Sequence, residues 1–132
     1  GGPGKWVQVN ESMSERARAY QEQVTGAPKG SAYRVQQGDA KADFDGFDPK
    51  EDVLLEAKGP GYEAFIENDM TMKEFFRGFK GMLEQARRQI DLSEGRRIRW
   101  IVAEKRFADF LRKAFREFEL ENIEVVHVPP AR

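Results

Sequence analysis

The sequence predicts one α/β domain with helices on both faces of a mixed sheet. Three observations carry this. Apolar residues recur at helical spacing in two segments, 72–90 and 107–118. Three strand candidates lie close together between residues 31 and 58 with short turns between them. Two further apolar strands alternate with the helices toward the C-terminus, giving the order α-β-β-β-α-β-α-β. At 132 residues the chain suits a single domain.

The chain opens on GGPG, so residues 1–10 read as a linker or boundary and 11–132 as the domain, cut from a longer protein. The stretch ESMSERARAYQEQVTG predicts a helix capped by Ser12 or Ser14 and stopped at Gly26. SAYRVQQ is a strand. GDAKADFDGFDPKED holds a second strand and a turn at Asp48-Pro49, and VLLEAKG is a third strand, buried at its start. Together these three form an antiparallel meander. Apolar residues at 72, 75, 76, 79, 82, 83, 86 and 90 then define a long helix, with bases at 73, 77, 80, 87 and 88 largely on its other faces. Gly78 and Gly81 each weaken that helix by about 1 kcal/mol, which suits close packing. RIRWIVAE is a strand, KRFADFLRKAFREFELEN a helix, and IEVVHVP the last strand. Trp100 is assigned to the core, Glu104 to the border of a cleft, and His127 to a structural place.

A composition of 39% hydrophobic residues supports a packed core despite 34% charge. Without cysteine there is neither a disulfide framework nor a thiolate metal site. No apolar run approaches the roughly 20 residues that span a bilayer, so membrane insertion is not expected. The net charge of −1 hides an asymmetry: residues 39–69 carry ten acids against three lysines, and residues 73–116 carry thirteen bases against six acids. Such runs are often solvated faces. An acidic patch beside a basic one also suits cation-dependent chemistry on phosphates.

The end of the third strand is the unusual place. Glu56 and Lys58 close an apolar run, and in a strand they share a face while Leu55 and Ala57 take the other. Asp43 and Asp45 likewise share a face on the preceding strand, unless Gly46 marks a bulge. Paired strands bring one carboxylate from each together. Two carboxylates that close repel unless a proton or cation lies between them, so removing either is expected to relieve strain. A hard cation such as Mg²⁺ accepts these ligands and keeps several waters. Lys58 beside it could orient an attacking water or neutralise a phosphate. A structural ion pair is the plainer alternative.

Asp45 followed by Glu56-Ala57-Lys58 on adjacent strands resembles the PD-(D/E)XK nuclease superfamily. More closely, YQEQVTG, AYRV, FDGFDPKEDVLLEAKGPGY and EQARRQ resemble the restriction-endonuclease-fold toxin domains of bacterial polymorphic toxins, nearest to the group numbered five. The likeness runs from Tyr20 onward and is most specific from Phe44 to Tyr62. Phe44 stands where the superfamily carries proline, so Asp43 and Asp45 both remain candidates for the first ligand. The resemblance implies a restriction-endonuclease-like αβββαβ core with an extra C-terminal helix and strand. It implies a secreted effector that hydrolyses DNA with Mg²⁺ or Mn²⁺ in the cytoplasm of competitor bacteria. Delivery would be by type VI secretion or an N-terminal carrier domain, and a cognate immunity protein would neutralise it.

Residue by residue, Asp45 and Glu56 match the metal-binding acids, Lys58 the catalytic lysine, and the Ala57 carbonyl a further ligand. Glu22 matches an auxiliary acid, and Gln85 and Gln89 fall where related nucleases carry a glutamine motif. A solvated Glu22 and a simple hydrogen bond between the two glutamines are the plainer readings. Arg77, Lys80, Arg87 and Arg88 are the candidate contacts to nucleic acid, lying away from the apolar stripe. An RNA-cleaving toxin and a non-catalytic binding module of the same fold are the alternatives.

Overall fold

The computed structural model describes residues 2–66 and 72–131; of Phe65 and of residues 72–76 only the backbone is described. The expectations for the Met72, Phe75 and Phe76 side chains and for Lys73 lie outside the described residues. The elements are β1 (Lys5–Gln8), α1 (Glu15–Thr25), β2 (Ser31–Gln37), β3 (Ala40–Phe44), β4 (Gly46–Asp48), β5 (Val53–Lys58), a 3-10 turn (Tyr62–Ile66), α2 (Met72–Leu92), β6 (Arg97–Val102), α3 (Lys105–Glu117) and β7 (Ile123–His127).

Local chemistry explains several boundaries. Ser14 caps α1 by accepting from the Ala17 amide at 3.1 Å, and Gly26 ends it in the left-handed conformation at φ 67°. Asp48 builds the turn into β5, its Oδ1 accepting from the Lys50 and Glu51 amides.

Two results differ from the sequence reading. Residues 5–8, assigned to a linker, form β1 and pair antiparallel with β2. The expected second strand is two strands, because the chain changes sheets at Asp45. Phe44 pairs with Tyr33 in the antiparallel sheet β1-β2-β3, whereas Gly46 pairs with Leu55 in the sheet β4-β5-β6-β7. In that second sheet β4 runs antiparallel to β5, and β5, β6 and β7 are parallel. Gly46 is needed at this corner: a Cβ there would lie 2.8 Å from Thr25 Cβ at the end of α1.

The four-stranded sheet separates two cores. Alternation in β5 sends Val53 and Leu55 toward Tyr20 and Val24 of α1, and Leu54 toward Leu83 and Ala86 of α2 and Leu111 and Phe115 of α3. Tyr20 is 1% exposed, and its hydroxyl donates to the Val128 carbonyl at 2.7 Å, tying α1 to the segment after β7.

Burial pushes the Tyr20 phenol up to about 12. Above pH 10 the unfolded chain ionises this group while the folded chain does not, so its contribution to stability is lost as pH rises from about 10 to 12. Urea melts at pH 7, 10 and 11 should show Tyr20→Phe less stable by about 1–2 kcal/mol at pH 7. The same variant should have a shallower alkaline decline than wild type.

Candidate active site

Glu56 and Lys58 face α2, and each is only 5% exposed. Burying a charge is costly unless it is paired and hydrogen-bonded, and here both are. Lys58 Nζ donates to Glu56 Oε2 at 3.1 Å and to Gln85 Oε1 at 2.8 Å. Gln85 Nε2 donates to Glu56 Oε2 at 3.1 Å, and Gln89 Nε2 to Glu56 Oε1 at 3.1 Å. The two glutamines, one turn apart, thus meet the carboxylate and not each other. Gln89 Oε1 accepts from Trp100 Nε1 at 2.8 Å, and Lys58 Nζ lies 4.7 Å from the Trp100 ring centroid. Trp100 reaches this place because it pairs with Glu56 across the parallel β5–β6 ladder. Among the described residues no buried side-chain nitrogen or oxygen lacks a partner.

Asp45 occupies the corner between the sheets. Its amide donates to the Leu55 carbonyl at 2.9 Å, and its Oδ2 accepts from the Ala57 amide at 2.8 Å. Burial, then the Glu56 charge, raises its carboxyl well above the usual range against the opposing pull of the Ala57 amide and Lys58; Glu11 adds to the rise. Burial disfavours the Lys58 ammonium, yet Glu56, Tyr62 and Asp45 together hold it above its usual range.

Asp43 is placed differently. Its carboxylate takes a bidentate bond from Arg34, with Nε to Oδ1 at 2.7 Å and the second nitrogen to Oδ2 at 3.0 Å. Its main-chain carbonyl lies 3.4 Å from Gln89 Nε2. The side chain that meets the Ala57 amide is therefore that of Asp45.

Among the described residues no group of three or more His, Asp or Glu side chains is disposed to hold a metal. The donors present are two carboxylates, Asp45 and Glu56, and the Ala57 carbonyl. That carbonyl shares a strand edge with the amide bound by Asp45, beyond the last β4–β5 pair at Gly46. Few protein ligands and several waters are the usual Mg²⁺ arrangement. Burial and the Glu56 charge disfavour the ionised form of Asp45, and a cation between the two acids would relieve that, so the set fits a divalent ion.

Glu22 is exposed on α1, in a hollow it shares with Glu11, Arg18 and Lys29, and makes no hydrogen bond to the group around Glu56 among the described residues. Arg77, Lys80, Arg87 and Arg88 are all exposed, and three of them border two different hollows. Arg88 lines a cleft of about 170 Å³ with Lys41, Asp43, Gln85 and Gln89, while Lys80 and Arg87 line another groove with Phe79 and Phe118. Arg77 precedes Arg88 by eleven residues, about three turns, and so shares its row.

Glu104 accepts from the Gly61 amide at 3.1 Å and the Glu63 amide at 2.9 Å, holding the turn that carries Tyr62 beside Lys58. His127 meets the Ala103 carbonyl at 3.2 Å. The sequence reading missed Glu11, Lys41 and the polar task of Trp100. Only the pairing of a tryptophan strand with the Glu56 strand could have pointed to the last.

The fold, with its acid–acid–lysine group on adjacent strands under a glutamine-bearing helix, is of the restriction-endonuclease-like nuclease class. The family model for restriction endonuclease fold toxin 5 matches residues 17–105, and the chain belongs to that family. The matched span runs from α1 to the first residue of α3 and contains Asp45, Glu56, Lys58, Gln85, Gln89 and Trp100. No curated protein matches the chain. Among the described residues no helix is long and apolar enough to cross a membrane.

The geometry corrects the expectation that removing either acid relieves strain. Glu56 is the partner of a buried lysine, so Glu56→Ala should destabilise the metal-free chain by about 3–5 kcal/mol. Asp45→Asn should stabilise it at pH 7. The folded-state carboxyl of Asp45 is raised, so stability from this group is full below about pH 4 and falls as pH climbs toward the raised value. Thermal melts from pH 4 to 8 should show that decline in wild type and its reduction in Asp45→Asn.

Proposed function

We propose that this domain is a metal-dependent nuclease toxin that hydrolyses phosphodiester bonds of DNA in competitor bacteria. It would reach their cytoplasm as a secreted effector, by type VI secretion or on an N-terminal carrier domain, and a cognate immunity protein would restrain it in the producing cell. The observation that carries the chemical part is a buried lysine held 3.1 Å from one carboxylate, next to a second, half-buried carboxylate whose charge desolvation and that first acid disfavour. Membership of a restriction-endonuclease-fold toxin family supports the class.

Asp45, Glu56 and the Ala57 carbonyl would hold Mg²⁺ or Mn²⁺. When bound, such an ion polarises a phosphoryl oxygen and lowers the pKa of a bound water. The remaining work falls to the chain. Lys58, favoured as the ammonium, donates to a non-bridging phosphate oxygen and offsets the charge that develops as water attacks phosphorus and the leaving P–O bond breaks. Gln85 is half-buried and stands between Lys58 and the cleft lined by Lys41 and Arg88. A substrate phosphate reaches the ammonium by taking the place of Gln85 Oε1. Gln89 holds Glu56 from behind. Arg88 and Arg77 track the backbone on one side of α2, whereas Lys80 and Arg87 contribute more to long-range attraction than to contact.

The test is cleavage of supercoiled plasmid, and of structured RNA in parallel, with Mg²⁺, Mn²⁺ or EDTA. Magnesium-dependent nicking of DNA is the expected result. Asp45→Ala and Glu56→Ala should abolish it. Lys58→Met should lower it about 100-fold or more while calorimetric Mn²⁺ affinity stays near wild type, and Lys58→Arg should not restore it. Full activity in Glu56→Ala, or no cleavage of either polymer by the wild-type chain, would overturn the reading, and cleavage of RNA alone would overturn the substrate.

The basic residues separate by salt dependence. Arg88→Ala should flatten the log–log slope of DNA affinity against salt by nearly one unit. Arg87→Ala should change it less, as measured by fluorescence anisotropy on a short duplex.

A further inference from the structure

We infer that Trp100 is a positioning residue for the Glu56 carboxylate, acting through the side-chain amide of Gln89. The inference rests on the reading of Glu56 as a working acid of the site. Trp100 Nε1 donates to Gln89 Oε1 at 2.8 Å, and Gln89 Nε2 donates to Glu56 Oε1 at 3.1 Å. Trp100 is 0% exposed and Gln89 1%, so no solvent stands ready to replace either bond.

An amide has one accepting and one donating end. The indole, which can only donate, fixes the oxygen of Gln89 toward β6 and thereby its NH₂ toward Glu56 and the Asp43 carbonyl. Without that donor, Gln89 Oε1 becomes a buried acceptor with no partner, an arrangement that is itself unfavourable. Rotation of Gln89 to find one withdraws its NH₂ from Glu56. The carboxylate then keeps only Gln85 and Lys58, both on Oε2, and is free to turn about them. Gln89 also touches Asp43, two residues before Asp45, so the same amide links the strand that delivers the first acid to the side chain of the second.

Packing and positioning are separable. Trp100→Phe keeps an aromatic ring against Phe115 and Lys58 but has no N–H. Trp100→His loses the fused ring, yet its Nε2 takes the place in the five-membered ring that Nε1 takes in indole, and at pH 8 it can donate to the same oxygen. Melting temperatures should therefore fall in the order wild type, Phe, His. Plasmid-cleavage kcat in Mg²⁺ should fall in the order wild type, His, Phe, with about a tenfold loss in Phe and KM for DNA within about twofold. Hydrogen exchange of the Gln89 side-chain NH₂, identified by NMR from its loss in Gln89→Met, should be at least about tenfold faster in Phe than in wild type.

A kcat that follows the melting temperatures overturns the inference, as does a Phe variant with wild-type kcat or wild-type amide exchange. If the wild-type chain shows no magnesium-dependent cleavage, it is the nuclease reading that fails, and amide exchange alone decides: fast in Phe and slow in His supports the relay, and no difference overturns it. Should the His variant not fold, exchange in the Phe variant decides.

Discussion

A carboxylate buried beneath a helix governs this molecule. Glu56 carries its charge to a place that is 5% exposed, where an isolated ion would not survive as such. Its stability there depends on three donors drawn from two elements: Lys58 on its own strand, and Gln85 and Gln89 on α2. Two of these donors have further obligations. Lys58 leans on Trp100, Gln89 accepts from Trp100 and reaches the main chain at Asp43, and Tyr62 near Lys58 sits on a turn bound by Glu104. The seat of α2 on the sheet is thus set by polar bonds as much as by the apolar contacts of Leu83 and Ala86. A partly satisfied network of this kind would be worse than an apolar core, and among the described residues this one is complete.

What the sequence disclosed follows from how local each feature is. Alternation in VLLEAK put Glu56 and Lys58 on one face without knowledge of any partner, and that is where they lie. Ser14 and Gly26 marked the ends of α1 because capping is settled within a few residues. β1 was hidden because its two apolar residues, Trp6 and Val7, are adjacent and so do not alternate along the strand; the segment pairs with the edge that β2 offers. The change of sheet at Asp45 was hidden for a related reason. It is imposed by Thr25 crowding Gly46 from another element, and the sequence shows only a glycine. Trp100 read as core, which it is; its N–H acquires a task only from a glutamine eleven residues away on a different element.

The corner also separates two aspartates that the sequence left equivalent. Asp43 still belongs to the β2–β3 ladder, where Arg34 stands opposite it and holds its carboxylate. Asp45 has left that ladder and faces the edge of β5, where β4 has not yet supplied a partner for Ala57. The charge asymmetry of the chain resolves in the same way. Among the described acids, Asp43 is paired at the surface by Arg34, whereas Asp45 and Glu56 turn inward; among the bases of α2, Arg88 borders the hollow that opens on the glutamines.

The contacts that assemble the site span long stretches of chain: 27 residues from Lys58 to Gln85, 33 from Glu56 to Gln89 and 46 from Asp43 to Gln89. Closing such loops carries an entropy cost that must be met before the bonds return anything. The complete site therefore exists only when α2 lies against the sheet. A hairpin of β2 and β3, or α1 alone, brings none of the acid–lysine–amide group together. Any form of this protein in which α2 has not docked, whether newly made, threaded through a pore or thermally opened, carries the right residues but no assembled centre.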